Sequence, residues 1–162
     1  MDIDPAILTE LHGLRRRLPD VTGSLLSGVD GLLIARDLPA ADADSIAALA
    51  AASLGLGRRF ALTAGHGDLR ESVIQGEHGY VAIYSAGSRA LLAVIAGPAV
   101  DLGTLHVEAR RVARMAGDLL QAAPVTNVPD PAPSFADNRA PLAVRTPMAT
   151  LPYNPALPRR RF

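Results

Sequence analysis

SGVDGLLIAR, residues 27–36, decides the fold. It carries no catalytic side chain, metal ligand or phosphate loop; what it encodes is a reversal of the chain. Asp30-Gly31 suits a tight type I′ turn, in which both central residues take positive φ. The apolar runs on either side then become paired strands, about Val21–Ser27 and Leu32–Arg36. Such a hairpin needs a core to pack into, and the flanking sequence supplies one.

Upstream, Asp4-Pro5 opens a helix, with Asp as N-cap and Pro at the first helical position. Ile7, Leu8, Leu11, Leu14 and Leu18 mark one apolar face through it, and Pro19 ends it. Downstream, the acidic segment DLPAADADS leads into a second helix, about Asp42 to Thr63, whose positive N-terminal end those carboxylates complement. SIAALAAASLGLGRRFAL has almost no polar face before Arg58 and Arg59. A helix apolar all round is covered all round, and one sheet covers only one side. The small residues Ala48, Ala51, Ala52, Ser53, Gly55 and Gly57 permit close approach by another helix.

Three more strands follow. ESVIQG (71–76) turns through EHG into YVAIYS (80–85), and Ala86-Gly87-Ser88 turns into RALLAVIAG (89–97). The last is apolar on both faces, as a central strand covered on both sides is. Asp101 caps a third helix running to about Gln121. Its apolar positions Leu102, Leu105, Val112, Ala116 and Leu119 face inward, and His106, Arg110 and Arg114 form an outer stripe. The expected fold is α+β: helix, two strands, helix, three strands, helix, with a mainly antiparallel sheet between helices on both faces.

The composition changes after Gln121. Residues 1–122 form the expected domain, with 11 Arg against 14 Asp and Glu. Residues 123–162 are proline-rich, lack any helical or strand period and hold 5 Arg against 2 Asp. An extended or disordered tail is the expectation there, with PDPAPSF or NPALPRRRF as segments able to dock on a partner. The chain has no cysteine, which excludes disulfides, thiol catalysis and cysteine-based metal sites. Its net charge is zero and 49% of residues are hydrophobic, so nothing points to nucleic acid. No signal peptide and no apolar run of spanning length stand out, so a cytoplasmic protein without direct membrane insertion is expected.

Signals for chemistry are weak. His12, His66, His78 and His106 fall in four separate elements without metal-ligand spacing. AGHGD (64–68) reads as a loop after a helix, using Gly65 and Gly67 for their backbone freedom. LGLG (54–57) lies late in a helix and lacks the pattern of a phosphate loop. Arg15–Arg17 read as a solvated helix end and Arg110, Arg111 and Arg114 as an exposed face. No catalytic residue, metal ligand or cofactor is expected. An enzymatic reading would rest on His66, Asp68 and Glu71 alone.

The stretch 18–54, LPDVTGSLLSGVDGLLIARDLPAADADSIAALAAASL, resembles the Roadblock family, small modules related to dynein light chains and to a bacterial GTPase-activating protein. Val21 and Gly23 entering the first strand, the turn GVDG at 28–31, and LLIA before an acidic loop and alanine-rich helix carry the likeness. GYVAIYSAGSRALLAVIAG (79–97) and a closing helix extend it over about residues 5–121. The resemblance implies a profilin-like three-layer fold: a five-stranded antiparallel sheet with one helix on one face and two on the other. It further implies a homodimer in which second helices pair and edge strands join, and a Ras-like small GTPase as the partner that is regulated or scaffolded in bacterial signalling or polarity. The expected dimer or partner interface is Ile46, Leu49, Ala52, Ser53, Leu56, Arg58, Arg59 and Val73. Arg58 and Arg59 have two readings, GTPase contacts or caps on the helix C-terminal dipole. The alternative function is a ligand-sensing domain of PAS or profilin-like shape, which would need a pocket with convergent polar groups.

Overall fold

A computed structural model describes residues 4–38 and 43–122. The expected proline-rich tail, 123–162, and Asp42 of the expected second helix lie outside the described residues. The elements run α1 (Pro5–Arg17), β1 (Val21–Gly28), β2 (Leu33–Asp37), α2 (Ala43–Thr63), β3 (Glu71–Gly76), β4 (Gly79–Ala86), β5 (Ala90–Ala96) and α3 (Leu102–Ala122). Asp4 caps α1 by accepting from the Ala6 amide at 2.9 Å. Asp101 caps α3, accepting from the Gly103 and Thr104 amides. Those hydrogen bonds, the Thr104 hydroxyl first, hold the Asp101 carboxyl below its ordinary value.

The five strands form one antiparallel sheet in the order β2-β1-β5-β4-β3. α1 and α3 cover one face and α2 the other. On the first face Ile7, Leu11, Leu14, Leu105, Val112 and Ala116 pack on Leu26, Tyr84, Leu92 and Val94. On the second, Ala47, Ala50 and Leu54 pack on Leu25, Ile83, Leu91 and Ala93. Alternate residues of β5 thus enter opposite clusters, which is why that strand reads as apolar throughout. α2 connects one edge strand, β2, to the other, β3, and so must cross the whole sheet. Its 21 residues span about 30 Å, enough for the roughly 20 Å width of five strands.

The β1–β2 turn departs from the expected type I′. Gly31 alone takes positive φ, 85°, and no non-glycine residue does so among the described residues. The Gly31 amide donates to the Gly28 carbonyl at 3.0 Å, the Gly28 amide to the Leu32 carbonyl at 2.9 Å, and the Leu32 amide to Asp30 Oδ1 at 3.1 Å. This is the three-residue form, an ordinary turn followed by a left-handed glycine; a separate irregularity in the ladder, with Ile34 as the extra residue of β2, shifts the register between Leu26 and Ser27. The Asp30 carboxylate holds the turn by accepting from the Leu32 amide, and Asp30 itself keeps a negative φ. A Cβ at Gly31 would lie 3.1 Å from the Ala48 Cα, so the turn packs directly against α2.

Arg15–Arg17, Arg110, Arg111 and Arg114 are all exposed, as expected, and two of them, Arg17 and Arg111, also clasp α1 and α3 together. Arg17 donates to Glu108 at 2.8 Å and to Glu10 at 3.3 Å, and Arg111 donates to Glu10 at 2.6 Å. Arg111 first, and Arg17 with it, holds the Glu10 carboxyl below its ordinary value. Arg15 reaches Asp37 at 3.3 Å.

Candidate functional site

The inward face of α2 is made of small residues and one leucine. Ala43, Ala47, Ala50 and Leu54 are buried, and their size brings the helix axis close to the sheet. The opposite face is what a soluble surface seldom shows. Leu49, Leu56 and Phe60 are 67%, 74% and 77% exposed, and Ala52 lies exposed between them. The spacing i, i+3, i+7, i+11 places these four on one outward stripe. By length and composition alone α2 is long and apolar enough to cross a membrane. Its inner face is nevertheless docked on the sheet through Ala47, Ala50 and Leu54.

At the end of α2 the sheet offers a free edge. β3 pairs with β4 on one side only, from Glu71 opposite Tyr84 to Gly76 opposite Gly79. Val73 and Ile74 on this edge are 38% and 46% exposed. They point to opposite faces. Ile74 lies opposite Val81, which packs in the α2-side cluster, and Val73 lies opposite Ala82 of the α1/α3-side core. Ile74 therefore continues the apolar surface on the α2 side, and Val73 flanks the edge from the other.

The eight expected interface residues divide accordingly. Leu49, Ala52 and Leu56 lie on the outward stripe, and exposed Arg59 borders it. Ile46 and Ser53 are half-buried on the shoulder, Ile46 packing against the α2-side core. Arg58 turns toward the sheet, and its Nε is enclosed. Val73 is on the edge strand. Phe60 and Ile74, which are not among the eight, share these exposed apolar surfaces, and Phe60 stands four residues after Leu56 at helical spacing. Arg58 and Arg59 do not cap α2. The helix continues to Thr63 and has no basic residue in its last turn. It is closed by Gly65, φ 75°, whose amide donates to Leu62 while the His66 amide reaches the Ala61 carbonyl at 2.9 Å.

The polar groups near the start of β3 are tied to one another. Glu71 accepts from Arg110 Nε at 2.7 Å and Nη2 at 2.5 Å, a bidentate pair. Arg110 donation holds the Glu71 carboxyl below its ordinary value, and burial pushes the Tyr84 hydroxyl up. Tyr84 Oη meets His106 Nδ1 at 2.9 Å. His106 is thus not on an outer stripe: it turns inward over the sheet end, and Arg110 is engaged by Glu71. Of the three groups behind an enzymatic reading, Glu71 is committed to Arg110. His66 and Asp68 take part in no ion pair among the described residues. Among those residues, too, no group of three His, Cys, Asp or Glu side chains is arranged to hold a metal ion.

A five-stranded antiparallel sheet with one helix on one face and two on the other places the chain among the three-layer α+β modules of Roadblock and profilin-like type. Residues 7–96 match the family model described as Roadblock/LC7 domain. The chain belongs to the Roadblock/LC7 family. Two proteins of Methanocaldococcus jannaschii, MJ0310 and MJ0714, are 37% and 35% identical over 108 residues, 66% of this chain and 90% and 87% of theirs. A Roadblock/LC7 domain from Streptomyces avermitilis superposes with a TM-score of 0.67 at 30% identity, over 70% of this chain and 97% of that one. The gliding protein MglB of Thermus thermophilus shares the fold, with a TM-score of 0.68 at 21% identity over 74% of this chain and 91% of its own.

Proposed function

We propose that this chain is a non-catalytic homodimeric platform that binds a Ras-like small GTPase and regulates or scaffolds it. The observation that carries the reading is the outward stripe Leu49, Ala52, Leu56 and Phe60 running beside the open β3 edge. A two-fold axis beside β3 sets each stripe against its copy and pairs the two edges antiparallel, so that one patch serves both partners. Covering the remaining exposed area of Leu49, Leu56 and Phe60 on both copies is worth about 6–12 kcal/mol. Association costs about 4–15 kcal/mol. The stripe alone roughly balances that cost, so hydrogen bonding between β3 edges belongs to the same interface. A related fold, an MglB, is described in a tetrameric arrangement, so modules of this shape do assemble.

The GTPase comes from the family the chain belongs to. A dimer leaves the flank of α2 around Ala48, Gly55 and Arg59 as an exposed shelf beside the twofold axis. Phosphoryl transfer depends on positioning and charge stabilisation, so a protein without catalytic groups of its own regulates it by ordering the GTPase's switch loops. A cytoplasmic setting and a role in signalling or polarity go with this reading. The curated relatives above are archaeal, so a bacterial setting is not required by it.

The test is capture from the native host's lysate on the immobilised full chain, with GDP or a non-hydrolysable GTP analogue present. Recovery of a Ras-like GTPase in one nucleotide state supports a regulator, and recovery in both supports a scaffold. An intact dimer that retains no GTPase in either state refutes the reading.

A further inference from the structure

Where β3 begins, the C-terminal half of α2, the loop after it and the middle of α3 enclose an open groove of about 1120 Å³. Arg58 enters it from α2, Arg70 from the loop and Arg114 from α3, with His66, Asp68 and Asp118 on the same walls. Arg110 also lines the groove, but Glu71 neutralises it. Arg58, Arg70 and Arg114 differ. Among the described residues none has a carboxylate within ion-pair distance, as is also true of Arg16, Arg36, Arg59 and Arg89 elsewhere, whereas Arg15, Arg17, Arg110 and Arg111 are paired.

Arg58, Arg70 and Arg114 come from three separate elements, and their guanidiniums line one groove and offer donors to an oxyanion. Guanidinium geometry matches the paired oxygens of phosphate. Asp68 and Asp118 restrict the ligand further: they accept hydrogen bonds and repel a second anion. The volume accommodates a small organic molecule and not merely an ion.

We propose that this groove binds a phosphate monoester bearing hydroxyl or amino groups. Arg58, Arg70 and Arg114 hold the phosphate, and Asp68 and Asp118 accept from the body of the ligand. This site lies off the outward stripe of α2 and does not depend on dimerisation or on a GTPase.

The experiment is calorimetric titration and thermal melting of the full chain with inorganic phosphate, adenosine 5′-monophosphate and adenosine, at constant ionic strength. The expected result is binding of both phosphate compounds, more tightly for the monophosphate, with no response to adenosine. Arg58→Gln with Arg114→Gln weakens binding at least tenfold, and Arg16→Gln, on the exposed surface of α1, leaves it unchanged. Should the double variant lose its native circular dichroism, Arg70→Gln takes its place, since Arg70 is exposed on a loop. No response to either phosphate compound overturns the proposal. So does a response that the groove variants leave intact, or one that adenosine matches.

Discussion

Replacing Leu56 by Glu separates a helix that is merely exposed from one that is a dimer interface. In a single chain Leu56 is 74% exposed, so little apolar burial is lost. Leu and Glu have similar helix propensities, and the expected change in monomer stability is within about 0.5 kcal/mol. In a two-fold dimer the substitution occurs twice. Each leucine forfeits roughly 1–2 kcal/mol of burial, and two carboxylates must enter an apolar seam. The burial loss alone, about 2–4 kcal/mol, raises the dimer dissociation constant by about 30- to 1000-fold. Sedimentation equilibrium over a range of concentrations measures the constant, and urea unfolding at a concentration where wild type is monomeric measures the fold. Leu54→Ala is the contrast two residues away. Leu54 is 1% exposed in the α2-side core, so its truncation costs about 2–5 kcal/mol of fold stability. A Leu56→Glu protein that dimerises like wild type, or one that unfolds like Leu54→Ala, refutes the reasoning.

Two glycine substitutions have opposite expected signs in urea unfolding. Gly55→Ala meets nothing within 4 Å and gains about 1 kcal/mol of helix propensity, whereas at Gly117 the new Cβ lies 2.8 Å from the Gly87 amide nitrogen and 2.9 Å from the Ala86 carbonyl carbon. Those are backbone atoms that cannot swing aside, so an overpacking cost of about 1–3 kcal/mol exceeds the same gain and Gly117→Ala is destabilised. Ser24 is fully buried with a hydroxyl that finds no partner, so Ser24→Ala is expected to raise the urea midpoint by up to about 1 kcal/mol in stability. The Glu71–Arg110 pair predicts a pH dependence. The folded carboxyl titrates below its ordinary value of 4.5, so its contribution is complete above that value and is lost as pH falls through the folded one. Both side chains are partly exposed, at 26% and 54%, so Glu71→Gln removes only about 0.5–1 kcal/mol of acid-sensitive stability, read as a flatter stability profile below pH 5.

The elements were legible because each obeys one strong local rule. Asp4-Pro5 fixes the start of α1, strands of period two and doubly apolar β5 declare their burial, and the Asp101 cap opens α3. What escaped depended on side chains separated in sequence. The turn type at Asp30 is set by an Asp30 Oδ1 contact with the Leu32 amide and by packing of Gly31 on Ala48, seventeen residues on, which the dipeptide rule cannot see. The inward turn of His106 depends on meeting Tyr84 from another element. The groove of Arg58, Arg70 and Arg114 draws on three elements with no shared motif, and helix propensity and periodicity carry no information about it.

The end of α2 shows how one sequence decision governs both surfaces. α2 runs unbroken to Thr63 and is closed by the left-handed Gly65, so Phe60 stands on the stripe with Leu56, while Arg58, two residues and about 200° round from Leu56, lies on the opposite side of the helix. Adjacent arginines therefore serve different surfaces: Arg59 borders the face expected to meet a partner, and Arg58 belongs to the groove. The two roles separate experimentally. Arg59→Gln is expected to weaken GTPase capture while leaving monophosphate binding within twofold of wild type, and Arg58→Gln is expected to do the reverse. Equal effects of both substitutions on both measurements would mean that the groove and the outward face are one surface.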